Sequence, residues 1–227
     1  MKKVIITFIC ATFVLSGCGN MSNLAKGSIV GGSGGAVLGA GVGALIAKDS
    51  KGAAIGAAIG TVVGASAGMI IGNQMDKKAE ELAAIEGASV DTVIDANNLK
   101  SIKVTFESGI LFPLNGTALS DASKASLKMF AETMADMKDT DLAIQGHTDN
   151  TGSRNVNDRI SLERAQSVSD YLKSCGMNQE RFSVEGLAFD APVASNDTAE
   201  GRAQNRRVEI YITANEQMIA NAEKSAQ

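Results

Sequence analysis

The sequence is poor in the residues that build disulfide scaffolds, metal centres and nucleic-acid interfaces. Its 227 residues include three cysteines, one histidine and no tryptophan. Three cysteines are too few for a disulfide scaffold, and one histidine without a cysteine cluster does not supply the usual ligands of a metal site. The formal net charge is -4, whereas nucleic-acid-binding domains normally carry a basic excess. We therefore expect no metal site and no nucleic-acid partner.

Motifs of bond-breaking chemistry are also missing. The chain contains no P-loop, no H-E-x-x-H sequence and no nucleophile elbow between a predicted strand and a helix. These are the usual signatures of phosphoryl transfer, zinc-dependent hydrolysis and acyl transfer. The single histidine, His147, is expected to serve packing at the end of a strand. We therefore predict a protein with no catalytic activity and no cofactor.

The first residues are typical of an exported, lipid-anchored protein. Two lysines precede an apolar run that is too short to span a bilayer, a pattern typical of a signal peptide, here at 1–17. The next tetrapeptide, Leu-Ser-Gly-Cys ending at Cys18, resembles the lipobox of bacterial lipoproteins. The resemblance implies a diacylglyceryl group and an N-acyl chain on Cys18, which would open a short linker at 18–26. Gly19 in place of aspartate implies the outer membrane. A plain signal peptide with an incidental cysteine is the alternative.

A regular glycine repeat occupies residues 27–72. Glycine recurs at every fourth position from Gly52 to Gly72, and less regularly from Gly27 to Gly43. The residues between the glycines are mostly alanine, isoleucine and valine, whereas flexible linkers are filled with serine and other polar residues. A small residue at every fourth position lets two membrane helices approach closely. The repeat therefore favours packed helices over the alternative of a flexible linker.

The two halves of this repeat, 27–47 and 52–72, are each long enough to cross a membrane. Each has 21 residues, which as a helix would extend about 30 Å, the thickness of a hydrocarbon core. The segment resembles the two-helix glycine-zipper modules of outer-membrane lipoproteins. We therefore predict a two-helix membrane hairpin in contact with outer-membrane lipid. Its glycine stripes would pack within the hairpin or between protomers, giving a homo-oligomer.

The rest of the chain is interpreted as a polar helical spacer at 73–89, a folded domain at 90–214 and a tail at 215–227 that carries no motif. Strands interleaved with helices predict an α/β sandwich, one mixed sheet covered by helices. The predicted strands are 90–96, 100–106, 141–146, 181–186 and 207–213, and the predicted helices are 121–138, 154–174 and a short turn at 197–204.

Three spaced motifs in the folded domain carry a family resemblance. They are GHTDNTG beginning at Gly146, NDRISLERA beginning at Asn157 and NRRVEI beginning at Asn205. These motifs resemble those of the OmpA-like peptidoglycan-binding domain, over about residues 100–214. The resemblance implies a βαβαβ mixed sheet and binding of peptidoglycan.

Arg164 lies on the apolar side of a predicted helix. On a helical wheel it falls within the arc that contains Ile160, Val168 and Leu172. An unpaired buried charge is costly, so we expect an anionic partner. A structural ion pair with Asp149 is one candidate. The resemblance implies the other, in which Arg164 binds a carboxylate and Asp149 the ammonium of diaminopimelate in the peptidoglycan stem peptide.

The resemblance implies further site residues. Asn115, Thr151 and Asn157 would add hydrogen bonds to the ligand, and Arg202 or Arg206 would line the rim of the pocket.

Two functional hypotheses follow from these patterns. In the first, the chain is a non-catalytic outer-membrane lipoprotein whose periplasmic C-terminal domain binds the cell wall, so that it tethers the membrane to peptidoglycan. In the second, the glycine zipper is the working part, and an oligomer of it acts as a pore or a lipid-organising assembly.

Overall fold

A computed structural model describes residues 63–113 and 116–227. The predicted signal peptide, Cys18 and the glycine repeat up to residue 62 lie outside these residues. The membrane hairpin and its oligomer therefore remain predictions.

The described part is built on one mixed five-stranded sheet. The spatial order of the strands is β1-β2-β5-β3-β4, so the last strand in the chain lies in the middle. All neighbours are antiparallel except β3 and β4, which are parallel. The strands are β1 (Ala88–Ile94), β2 (Lys100–Glu107), β3 (Thr140–Gly146), β4 (Phe182–Gly186) and β5 (Arg207–Ala214).

Six α-helices accompany the sheet in the described part of the chain. Most of the predicted elements are present within a few residues of their expected ends. The predicted helix at 121–138 ends earlier, at Thr133. The helices are α1 (Ala65–Leu82), α2 (Ser108–Leu111), α3 (Asp121–Thr133), α4 (Arg154–Ser174), α5 (Ala199–Asn205) and α6 (Glu216–Ser225).

The two faces of the sheet differ in chemistry. On β2, the buried residues Ile102, Val104 and Phe106 alternate with Lys103 and Thr105, because successive strand residues point to opposite faces. The apolar face packs against the helices and forms the core, whereas the other face is polar. The same alternation places Leu142 and Ile144 of β3 and Val208, Ile210 and Ile212 of β5 in the core.

Helix α1 belongs to this core and is not a free spacer. Its residues Ile71, Met75 and Leu82 are fully buried, and Ile85 just beyond it is nearly so. Burial of an apolar side chain of this size contributes about 1.5–3 kcal/mol, so the helix is held firmly. The sequence placed the start of the domain at residue 90, but the packed unit reaches back to Ala67.

This packing also corrects the prediction for the last turns of the glycine repeat. Residues 65–72 were expected to lie in a membrane helix, but they form the first half of α1, where Ala67 and Ile71 are buried in the core. In residues 63–113 and 116–227, no helix has both the length and the apolar character needed to cross a membrane.

The C-terminal tail also contributes to the fold. Asn215 caps α6, since its side chain accepts a hydrogen bond from the backbone N–H of Met218 at 3.0 Å. Met218, Ile219 and Ala222 are buried in the same core as α1. The sequence showed no motif here, yet the tail completes the packing around α1.

Candidate functional site

The predicted site residues gather at one end of the sheet. β2 and β3 finish at this end and β5 begins there, with Glu107 opposite Arg207 and Gly146 opposite Val208. We call it the site end. The opposite end, where Thr140 pairs with Ala214, is called the base end.

Two glycines let α4 approach the sheet closely at the site end. A Cβ atom on Gly146 would overlap the backbone carbonyl of Ser161, and one on Gly186 would overlap the backbone N–H of Leu162. Ser161 is fully buried, and its hydroxyl accepts a hydrogen bond from the backbone N–H of Ala188 at 3.1 Å. The absence of a side chain at these positions therefore lets α4 pack directly against the ends of β3 and β4. This close packing sets the position of Arg164 on α4.

Asp149 lies in the loop after β3 and is only 8% exposed. Its Oδ1 accepts a hydrogen bond from the backbone N–H of Thr151 at 2.9 Å, and its Oδ2 accepts one from Nη1 of Arg206 at 2.6 Å. Burial alone would raise the pKa of Asp149, but the bonds from Arg206 and Thr151 outweigh it and hold the pKa below its ordinary value of 3.8. Asp149 is therefore ionised at neutral pH.

Arg164 is 6% exposed and is held in a fixed orientation. Its Nε donates a hydrogen bond to the backbone carbonyl of Gly116 at 3.0 Å, and its guanidinium carbon lies 5.2 Å from the ring centroid of Phe112. Burial lowers the pKa of Arg164, and the nearby charge of Arg206 lowers it further, but an arginine stays protonated at neutral pH. Within the described residues, its two terminal nitrogens, Nη1 and Nη2, make no hydrogen bond and no salt bridge.

The expected partner of Arg164 is therefore not the one found. Among the described residues, Asp149 forms its salt bridge with Arg206, at 2.6 Å, and none with Arg164. The charge of Asp149 still raises the pKa of Arg164, so the two groups interact without a direct ion pair. The direct contacts of Arg164 are a neutral carbonyl and an aromatic ring.

Other predicted site residues have structural roles. The Nδ2 of Asn157 donates hydrogen bonds to the backbone carbonyls of Thr151 at 3.0 Å and Ser153 at 3.3 Å. It thus braces the loop that carries Asp149. Arg202 donates to the backbone carbonyl of Asn196 at 2.8 Å and supports a neighbouring loop. Asn115 lies outside the described residues.

Sequence reasoning missed the role of Asn205, the first residue of the NRR motif. Asn205 is fully buried. Its side chain accepts hydrogen bonds from the backbone N–H groups of Val193 and Ala194 and donates to the carbonyl of Ala194. It therefore anchors the loop between β4 and α5. The three residues of the motif, Asn205, Arg206 and Arg207, therefore have different roles. Arg206 binds Asp149, whereas Arg207 is buried on the polar face of the sheet.

His147 belongs to a buried polar cluster on that face. Glu209 accepts hydrogen bonds from Nε of Arg207 at 2.7 Å and from the hydroxyl of Tyr211 at 2.8 Å, and Nε2 of His147 lies 3.5 Å away. Burial would raise the pKa of Glu209, but His147 and Arg207 hold it far below its usual value. Burial lowers the pKa of His147, so its imidazole is neutral at neutral pH. Among the described residues, no group of three His, Cys, Asp or Glu side chains could hold a metal ion.

Two open grooves in the described part of the chain lie away from the site. One open groove of about 400 Å³ lies at the base end between α1 and α6, and another of about 420 Å³ crosses the polar face of the sheet. Neither is lined by Asp149 or Arg164.

Two family models match separate parts of this chain. Residues 111–206 match the model of the OmpA family, and residues 1–76 match that of the YMGG-like Gly-zipper. The chain is 41% identical over 103 residues to "Peptidoglycan-binding protein ArfA" of Mycobacterium tuberculosis, covering 45% of this chain and 32% of that protein. It is 33% identical over 144 residues to "Probable lipoprotein YiaD" of Escherichia coli, covering 63% of this chain and 64% of that protein.

A solved structure has the same fold. The cell wall anchor of the T6SS from Pseudomonas aeruginosa aligns with a TM-score of 0.53 and 28% sequence identity, over 62% of this chain and 96% of that chain. The predicted OmpA-like sheet and the resemblance that suggested it are thereby confirmed. The chain spans less than two thirds of the length of ArfA and of YiaD.

Proposed function

We propose that the protein is a non-catalytic tether between the outer membrane and peptidoglycan, because residues 111–206 match the model of the OmpA family and residues 1–76 match that of the YMGG-like Gly-zipper. The cell wall would bind at the site end of the sheet, to Arg164 and Asp149. Support comes from ArfA, a relative named as a peptidoglycan-binding protein, whose similarity to this chain covers 103 residues.

The observation that carries the proposal is the end of the Arg164 side chain, whose Nη1 and Nη2 make no hydrogen bond within the described residues. Its Nε and one face of its guanidinium are engaged by Gly116 and Phe112, so the side chain cannot swing away without losing both contacts. The two remaining nitrogens can donate a parallel pair of hydrogen bonds, which is the arrangement that a carboxylate accepts. A buried and oriented guanidinium without a direct ion pair among the described residues is costly to maintain, and a carboxylate ligand would account for it.

The negative charge of Asp149 beside Arg164 favours a ligand with both an ammonium and a carboxylate. The free end of diaminopimelate in the stem peptide is such a ligand. This end carries an ammonium and a carboxylate on one carbon. A carboxylate group can accept about four hydrogen bonds, and Asp149 accepts two from Thr151 and Arg206, so an ammonium can bind it without displacing either.

The membrane end of the tether is proposed from the sequence. Cys18 would carry the acyl chains, with palmitate among them, and several chains together give a durable anchor. YiaD, which is similar to this chain over 144 residues, is named as a lipoprotein. The domain would then face the periplasm, where peptidoglycan lies.

Co-sedimentation with purified peptidoglycan tests the proposal. Arg164→Ala is expected to weaken binding about 10- to 150-fold, because a hydrogen-bonded charged group contributes about 1.5–3 kcal/mol. Asp149→Ala is expected to weaken it as well. Arg159→Ala is the matched control, since Arg159 lies on the same helix but is exposed and pairs with Glu163. Free diaminopimelate should compete with peptidoglycan for the native protein, whereas free lysine should not.

Unchanged binding by both site variants would refute the assignment of the site. The thermal unfolding midpoint of each variant is measured alongside, so that loss of binding is not confused with loss of fold. Release of soluble muropeptides by the native protein would contradict the non-catalytic part of the proposal.

A further inference from the structure

The two ends of the sheet contact different parts of the chain. The candidate wall site occupies the site end, and α1 enters the domain at the base end. Gly68, at the start of α1, lies against Leu99, in the turn that precedes β2. Asp76 binds Lys100, the first residue of β2, at 2.7 Å.

The direction of α1 follows from its other end. Beyond the helix, the carbonyl of Glu86 accepts a hydrogen bond from the hydroxyl of Ser126 at 3.0 Å, and Gly87 lies against Ile110, just after the end of β2. The chain then enters β1 with Ala88 opposite Phe106, at the site end. Residues 68–78 of α1 therefore lie at the base end, and the chain reaches the site end only beyond the helix.

Polar contacts add to the apolar packing that holds α1. Nζ of Lys78 is buried and donates hydrogen bonds to the carbonyl of Thr133 at 2.9 Å, to Asp136 at 2.8 Å and to Glu81 at 2.6 Å. The first two acceptors lie at the end of α3 and in the turn that follows it. Lys78 thus ties α1 to the connection between α3 and β3.

Resting on the proposed function, we propose that α1 is a rigid coupling that fixes where the wall site lies relative to the glycine-zipper segment. The coupling holds the start of α1 at the end of the sheet opposite the site, about one length of β5 away. That strand has eight residues, and its span is about 23 Å. A flexible linker in place of α1 would leave this separation free, whereas α1 is packed into the core.

Native-state hydrogen exchange of the full chain tests whether α1 and the sheet form one unit. Amides of residues 71–79 are expected to exchange within about tenfold of those of 208–212, because segments of one cooperative unit open together. Lys78→Met should accelerate both groups by a similar factor. Its exposed neighbour gives the matched control, Lys77→Met, which should change neither. If the α1 amides exchange about 100-fold faster than those of β5, or if Lys78→Met accelerates α1 alone, the coupling is refuted.

A distance measurement tests whether the start of α1 and the wall site lie at opposite ends of the sheet. Spin labels at Ser66 and Asn155, both exposed, can be introduced through a non-natural amino acid that leaves the cysteines unchanged. A single narrow distance distribution of more than about 20 Å is expected. A broad distribution, or a short distance, would overturn the proposal. Neither experiment uses peptidoglycan, so failure of the wall-binding site and failure of the coupling are distinguishable.

Discussion

The base end and the site end of the sheet are stabilised in different ways. At the base end, α1 and α6 bury apolar side chains, and the buried Lys78 has three acceptors. At the site end, Arg164 is buried against a carbonyl and a ring, and it makes no salt bridge among the described residues. The first arrangement favours stability, whereas the second leaves Nη1 and Nη2 of Arg164 without a hydrogen bond among those residues. The comparison predicts that substitutions at the base end change unfolding and that substitutions at the site end change binding.

The largest expected effect is loss of stability from Met75→Ala. Met75 is fully buried between α1 and the sheet, and truncating such a side chain to alanine costs about 2–5 kcal/mol. The free energy of unfolding, from urea titration, should fall by that amount. Binding to peptidoglycan, measured well below the unfolding midpoint, should stay within about twofold of the native value, which corresponds to less than about 0.5 kcal/mol.

Met129→Ala provides the control for Met75→Ala, because Met129 lies on α3 and is half exposed. A large loss of peptidoglycan affinity in a folded Met75→Ala protein would contradict the separation of the two ends.

An intermediate effect is expected from pH at the site end. The pKa of Asp149 is depressed, so its contribution to ligand binding is fully present well above 3.8 and is lost as the pH falls through the lower, folded value. Binding at pH 5 should therefore equal binding at pH 7. In Arg206→Gln, burial would dominate and raise the pKa, so binding at pH 5 should fall, by up to about tenfold if a contact of about 1.4 kcal/mol is lost. Equal pH profiles for the two proteins would show that Arg206 does not control Asp149.

The smallest expected effect is a gain of stability from Gly72→Ala. Gly72 lies within α1, and a Cβ atom added there would meet nothing within 4 Å. Alanine is more favourable than glycine inside a helix by about 0.5–1 kcal/mol, so the free energy of unfolding should rise by that amount. Ser66→Ala, on the exposed side of α1, is the control for a general effect of composition. A loss of stability would indicate that the glycine at this position has a packing role.

Periodicity predicted the sheet and the helix that carries the site. Helix α4 was expected at 154–174 and is found at Arg154–Ser174, because its buried stripe of Ala165, Val168 and Leu172 has a clear helical period. The position of Arg164 within that stripe correctly marked it as unusual. Its actual contacts were not predictable, since Phe112 and Gly116 are about 50 residues away in the sequence.

The sequence was less informative about the two helices at the base end. In α1 the glycines and charges favour a zipper and a spacer. However, Ile71, Met75, Leu82 and Ile85 recur at the spacing of one helix face, and this spacing predicts a helix that packs on the core. In α6 the apolar residues are few, and their burial depends on α1 already being in place, which is a tertiary effect that local patterns do not contain.

The position of β5 in the sheet has a consequence for biosynthesis. It is the last strand in the chain, yet it lies between β2 and β3 and joins two pairs of strands that have no other contact within the sheet. The domain therefore cannot close until almost its entire length is available, and contacts so distant in sequence form slowly. If the predicted signal peptide directs export, this delay would keep the chain unfolded while it crosses the membrane.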